Sequence, residues 1–242
     1  MESRKVDIDK KDKRRSPEQL GEAKCSHLVG LASFAGTLEL MEEEENMKEL
    51  QERIVQDGKV LSASVLKVDA FLNHQVDPQL TMKIGERFAQ LFADEKITKV
   101  LTIEASGIHF ALATSFALGV PFVYAKKKKA VTLTEEVYSA PVHSFTRQET
   151  YQISVSKQYL SPDDRVLIVD DFLATGAALI GLTQIIKDAN AHLVGIGAVI
   201  EKSFQEGRRL LEQAGVRIES LARIASMSPE GIQFIQAETV RV

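Results

Sequence analysis

The chain has 242 residues, 44% of them hydrophobic and 26% charged, with a formal net charge of −4. A chain of that length can bury one sizeable core without covalent or metal staples, and its lone cysteine, Cys25, excludes a disulfide framework and a cysteine-rich zinc site. The acidic balance argues against a general nucleic-acid binder, and no apolar run approaches the length of a bilayer-spanning helix.

Residues 1–46 differ in composition from the rest. They open on the mixed-charge run KVDIDKKDKRR, pass through the modestly apolar HLVGLASFAGTLEL and end on MEEEEN. Such a composition buries too little surface to offset its ordering entropy, so a disordered or weakly structured extension is expected there. A signal peptide fits poorly: the basic region is long and mixed in sign, and no small-residue cleavage site precedes the acidic run. Glu42 to Glu45 must be encoded by an unbroken purine run, because glutamate codons are GAA or GAG. That run stands just upstream of Met47, where a bacterial ribosome-binding site would lie, so residues 1–46 are read as translated leader.

From Met47 the elements alternate. MKELQERIVQD forms a short amphipathic helix stopped by Gly58, and VLKVDAFLNHQVD reads as part strand, part loop. PQLTMKIGERFAQLFADEK places Ile84, Phe88, Leu91 and Phe92 on one helical face behind an N-terminal proline. KVLTIE is a strand, ASGIHFALATSFALG a helix ended by Gly119, and PFVYA a strand running into Lys126 to Lys129. Residues 131–163 read as a long loop or hairpin. RVLIV is a strand, TGAALIGLTQIIKDAN a helix, HLVGIGAVIEK a strand, FQEGRRLLEQAG a helix and VRIESLARI a closing strand. This alternation predicts an α/β fold with a mostly parallel central sheet flanked by helices.

Ligands of such sheets bind at the carboxyl ends of the strands, where the strand order reverses. Four polar clusters stand at four such ends: Glu104 to Gly107, the lysine run, Asp170-Asp171 and Glu201-Lys202. The two aspartates could cap the turn that follows, but one acid suffices for that and two repel. A hydrophobic strand ending in Asp-Asp also occurs in nucleotidases, yet the Gly-Lys-Ser/Thr loop those need is absent. Gly195-Ile196-Gly197 lacks the third glycine of a dinucleotide fingerprint. After the acids come Phe172-Leu173 and then Ala174-Thr175-Gly176-Ala177-Ala178, small residues opening a helix. Freed backbone N–H groups there make an anion site that a phosphate can approach closely. Acids for vicinal hydroxyls beside a phosphate cradle suit a ribose 5-phosphate.

VLIVDDFLATGAA resembles the phosphoribosyl pyrophosphate (PRPP) signature of the type I phosphoribosyltransferases. VLKVDAFLNHQVDP, TIEASGI, GVPFVYAKKKK and GIGAVIEKSFQEGR together resemble the bacterial xanthine phosphoribosyltransferases. The likeness runs from Met47 to Val242 and excludes residues 1–46. It implies a type I phosphoribosyltransferase fold with a small hood over residues 131–160. The implied reaction transfers the 5-phosphoribosyl group from PRPP to xanthine in purine salvage, with Mg²⁺ held mainly by the substrate. Asp170 and Asp171 would hold the ribose hydroxyls and Ala174 to Ala178 the 5′-phosphate. Ala105, Ser106 and Gly107 would hold pyrophosphate, aided by Lys126 or Lys128. Leu66, Asn73 and Lys202 would contact the base.

The chemistry suits these places. Lysine offers donors and no acceptor, so Lys202 fits a carbonyl oxygen at purine position 6 and disfavours an amino group; Asn73 offers both a donor and an acceptor. By themselves Lys202 reads equally as a solvated strand-end lysine and Asn73 as a turn residue. No nucleophile elbow surrounds Ser106, since Glu104 and Ile108 stand where glycines would be, and His109 is read as a bystander. A cytoplasmic homodimer without nucleic-acid or membrane partners is expected. The alternatives are a hypoxanthine or guanine phosphoribosyltransferase, or a purine-sensing regulator without turnover. N-terminal sequencing of the protein from its own host is expected to return Met47, and a start at Met1 would end the leader reading.

Overall fold

A computed structural model describes residues 48–128, 136–144 and 149–235. The expectations placed on residues 1–46, on Lys129 and on residues 131–135 and 145–148 of the hood lie outside the described residues. A first helix, α1 (48–57), buries Leu50 and Ile54 and stops at Gly58. The ribbon β1 (Lys59–Ser62) and β2 (Val65–Lys67) follows, then a wide helical turn over Asp69–Asn73. Helix α2 (Pro78–Leu91) starts as its sequence dictates. Proline occupies the first turn, and the Asp77 side chain accepts from the N–H groups of Gln79 and Leu80 at 3.0 and 3.2 Å.

Next come β3 (Lys99–Ile103), α3 (Ile108–Leu118), β4 (Phe122–Lys128) and a hairpin of β5 (Val137–Ser144) and β6 (Glu149–Ser156). The chain continues through β7 (Arg165–Leu173), α4 (Ala177–Asp188), β8 (His192–Lys202), α5 (Gly207–Gln213), β9 (Ile218–Ser228) and β10 (Gly231–Phe234). The main sheet has the order β10-β9-β8-β7-β3-β4-β6-β5. Its five middle strands are parallel, and β10, β6 and β5 join antiparallel at the two edges. From β3 the chain first steps outward to β4, then returns to the far side of β3 with β7, β8 and β9. The order therefore reverses between β3 and β7, which opens a crevice at their carboxyl ends.

Strand β7 is buried on both faces, which is why it reads as an unbroken apolar run rather than an alternation. Leu167 and Val169 pack into one core with Ile84 and Phe88 of α2 and Phe110 of α3. Val166 and Ile168 face a second core with Leu182 and Ile185 of α4 and with Val142 and Ile153 of the hairpin.

Three strands run longer than their composition predicts. β7 continues pairing with β8 through Asp170↔Ala198 and Leu173↔Glu201, so both acids lie inside the strand rather than after it. β4 carries Lys126, Lys127 and Lys128 because β6 pairs with all three. β9 runs on to Ser228, where β10 folds back on it. In each case a neighbouring strand supplies hydrogen bonds that outweigh the polar composition.

The Gly195-Ile196-Gly197 segment owes its glycines to packing. A Cβ on Gly197 would stand 2.7 Å from the ring of fully buried Phe88, and one on Gly195 2.6 Å from the ring of Phe92. The rings of Phe88 in α2 and of Phe92 just after it thus pack against bare β8 backbone. Gly197→Ala is expected to lower stability by about 1–3 kcal/mol through overpacking. Urea denaturation measures it, and an unchanged midpoint would remove this explanation of the glycine.

Candidate functional site

The site grows from the ends of β3 and β7. Asp170 and Asp171 are both buried, at 4% and 9% exposure. Asp171 Oδ2 accepts from Asn73 Nδ2 at 3.1 Å, which ties the turn at Asp69–Asn73 to a strand 98 residues away. Asp170 Oδ1 is buried without a partner in the protein, as is Asn73 Oδ1. Burial first, and the charge of Asp171 second, push the Asp170 carboxyl well above the usual carboxylate range, against a smaller opposing pull from Lys127.

Gly107 closes the crevice beside this acid. A Cβ there would fall 2.0 Å from Thr102 Oγ1 and 2.7 Å from Asp170 Oδ1, so the glycine is required for close approach. The segment before it is held by its backbone. Glu104 N–H donates to the carbonyl of Ala125 at 3.1 Å, the Glu104 carboxylate accepts from the N–H of Lys127, and the Glu104–Ala105 peptide is cis. Gly107 ends this loop at the start of α3.

On the β7 side, Gly176 precedes α4 with φ +80°, a left-handed conformation that glycine adopts without strain. The first N–H groups of α4 have no partner within the helix and sit beside small side chains. Ala174, Thr175, Ala177 and Ala178 line one wall of a cavity of about 340 Å³. Lys202 and Gln205 line another wall, and Val142, His143 and Tyr151 of the hairpin face them. Lys202 Nζ donates to the carbonyl of Ser64 at 2.8 Å and lies 5.1 Å from the Phe172 ring centroid. Burial lowers the pKa of Lys202, opposed by the charge of Asp171.

The expected site residues thus fall into groups. The acids, the small-residue loop, Asn73 and Lys202 come together at the ends of β7 and β8. The Glu104–Gly107 loop reaches the same place through Gly107. Leu66 is buried in the core with Leu50 and Ile54, while its neighbour Val65 lines the cavity. Lys126 lines a different cavity with Tyr124 and Val137. Lys128 lies in β4, and its side chain is outside the described set. Lys127 is the lysine of the run that acts electrostatically on Asp170, with its Nζ 5.6 Å from the ring centroid of Tyr151. Alternation along a strand is the signal that separates Lys127 from Lys126, once the run is known to be a strand. Burial lowers the pKa of His109, opposed by the charge of Asp171. The hairpin residues His143 and Tyr151 carried no signal in the chain, because β-branched and polar residues alternate there without a motif.

Residues 73–215 match the family model of the phosphoribosyl transferase domain. The chain belongs to the phosphoribosyltransferase family. Among curated relatives, a xanthine phosphoribosyltransferase from Brevibacillus brevis is 89% identical over 196 residues, 81% of this chain and all of that protein. One from Bacillus cytotoxicus is 55% identical over the same shares. Among solved structures, an adenine phosphoribosyltransferase from Saccharomyces cerevisiae, complexed with an imino-altritol bisphosphate and adenine, superposes with a TM-score of 0.62. It is 25% identical and the match covers 74% of this chain and 99% of that one.

The phosphoribosyltransferase strand end is an unfavourable place for Asp170 as a charged group, and this has a measurable sign. A carboxyl whose folded pKa is raised contributes stability below its unfolded pKa and loses it as the pH climbs toward the folded value. Asp170→Asn is therefore expected to stabilise the protein at neutral pH. The gain in melting temperature should vanish at pH below the ordinary carboxylate range and open as the pH rises through it. A variant less stable than wild type at neutral pH would contradict the assignment.

Proposed function

We propose that this phosphoribosyltransferase transfers the 5-phosphoribosyl group of PRPP to N9 of xanthine, giving xanthosine 5′-monophosphate and pyrophosphate in purine salvage. The observation that carries the reading is the 89% identity to the whole length of a xanthine phosphoribosyltransferase. In this reading the N–H groups of Ala174 to Ala178 receive the 5′-phosphate, and Asp170 and Asp171 accept hydrogen bonds from the ribose hydroxyls. Ala105, Ser106 and Gly107 hold the pyrophosphate through backbone N–H groups, with a lysine of β4 adding charge. Lys202 donates to the carbonyl oxygen at purine position 6 and Asn73 reads a second polar edge, while Leu66, buried in the core, backs the strand whose Val65 lines the cavity.

The bond at the anomeric carbon breaks early and leaves a sugar with cation character. The N–H groups of the 105–107 loop stabilise the departing pyrophosphate. No covalent nucleophile is needed, since alignment of base and sugar supplies the remainder. The β5–β6 hairpin is the hood, placed to keep water from the reactive sugar.

Two adjacent carboxyl groups, one with an unpartnered oxygen, would fit a Mg²⁺ ion held mainly by the substrate. Asp170 and Asp171 would hold it in part, and when bound it would neutralise pyrophosphate charge. Residues 47–242 form the transferase domain and residues 1–46 an extension to it, a reading supported by the 196-residue length of the match to whole relatives. The protein works as a homodimer in the cytoplasm.

Initial rates with xanthine, guanine and hypoxanthine at a fixed PRPP concentration test the reading, with the full chain and with residues 47–242 alone. Xanthine is expected to react fastest, at the same rate in both proteins. Guanine used equally fast would replace the substrate, and tight purine binding without turnover would make the protein a sensor.

A further inference from the structure

Glu201 is the last residue but one of β8, directly before Lys202, and is wholly buried, at 0% exposure. Its Oε1 accepts from Ser203 Oγ at 2.6 Å and from Arg208 Nε at 2.9 Å, and its Oε2 accepts from Arg208 Nη2 at 2.8 Å. The pair is a two-pronged fork, with Arg223 Nε 3.5 Å from the same carboxylate. Burial works against the charge of Glu201, but the bonds from Arg208, Ser203 and Ser220 outweigh it and hold the carboxyl below its ordinary value. Arg208 is itself braced by Glu212 at 2.7 Å, one turn further along α5.

Neither member of the fork is among the residues lining the cavity, but Glu201 adjoins a residue that does, and Arg208 adjoins one bonded to the loop that does. Lys202 follows Glu201 directly and lines the cavity. Gly207 precedes Arg208 directly, and its N–H donates to the carbonyl of Ala174 at 3.0 Å. The approach is too close for any side chain. A Cβ on Gly207 would fall 2.4 Å from the Ala174 carbonyl oxygen and 2.7 Å from the Gly176 nitrogen. The fork thus closes the segment from 201 to 208 into a staple, with the base-side cation at one end and the back of the phosphate loop at the other.

An apolar pair of similar volume would fasten α5 to β8 at least as firmly, because burying ions carries a desolvation cost. What the fork adds is direction: two parallel charge-assisted bonds fix the guanidinium in plane and distance. We propose that Glu201 and Arg208 are positioning residues that hold the Lys202 ammonium and the 174–178 loop at one fixed separation. The base and 5′-phosphate of one nucleotide are then read together. This rests on the roles given above to Lys202 and the loop.

Arg208→Lys keeps the charge and stem but loses the fork. It is expected to unfold cooperatively, to bind ribose 5-phosphate about tenfold more weakly by calorimetry, and to raise the KM for xanthine about tenfold with kcat changed much less. In a Lys202→Met background, Arg208→Lys should add nothing further to the KM for xanthine, whereas an effect independent of Lys202 would multiply through. Unchanged affinity for ribose 5-phosphate, or full multiplicativity in the KM cycle, overturns the proposal. Glu201→Gln, which cannot pair as a charged fork, stands in should Arg208→Lys not fold; if neither folds, the pair is a structural staple and the proposal is lost. Wild-type protein without xanthine turnover would overturn the proposed function instead, and the ribose 5-phosphate measurement would still decide the link.

Discussion

Two carboxylates side by side in a buried strand repel each other and lose their water, and the end of β7 is organised around that conflict. Asp171 is relieved by Asn73, brought by a turn far away in the chain. Asp170 keeps an oxygen without a partner beside the bare backbone of Gly107. Elsewhere in a core such a pair would be replaced by apolar residues or neutralised completely. This strand end keeps it, with one carboxyl oxygen left open.

The rest of the fold makes this strand end rigid and open at once. β7 is flanked by β3 and β8 and covered on both faces, so the acids sit on backbone that cannot shift without disturbing both cores. The reversal of strand order between β3 and β7 sends the loops that follow them to opposite sides, and a crevice is left between. One loop ends at Gly107, the other turns through the left-handed Gly176. Both are short and nearly free of side chains.

Much of this is visible in the chain before any folding. The alternation of strands and helices, the apolar run of β7, the stops at Gly58 and Gly119 and the proline at the head of α2 all follow from local composition. So does the pairing of acids with a small-residue loop, because one continuous strand and turn, 170–178, carries it. The reading falters where the signal depends on a partner. Lys126 and Lys127 look alike in sequence, and only the pairing of β4 with β6 sends them to different faces. Asn73 reads equally as a turn residue until Asp171 is found beside it. The glycines at 195 and 197 resemble half of a nucleotide motif, and the rings of Phe88 and Phe92 explain them differently.

Glu201 and Arg208 show the same division most sharply. GIGAVIEKSFQEGR announces a strand, a turn and a helix, but nothing in it says that the glutamate is buried and the arginine bent back onto it. Local sequence decides which elements form and which strand end carries chemistry, since helix caps, periodicity and turn residues act over a few positions. The cavity itself, the separation of Lys127 from Lys126 and the link between Lys202 and the 174–178 loop belong to the tertiary structure. They arise from contacts between residues tens of positions apart, which exist only once the sheet has put β3, β7 and β8 side by side.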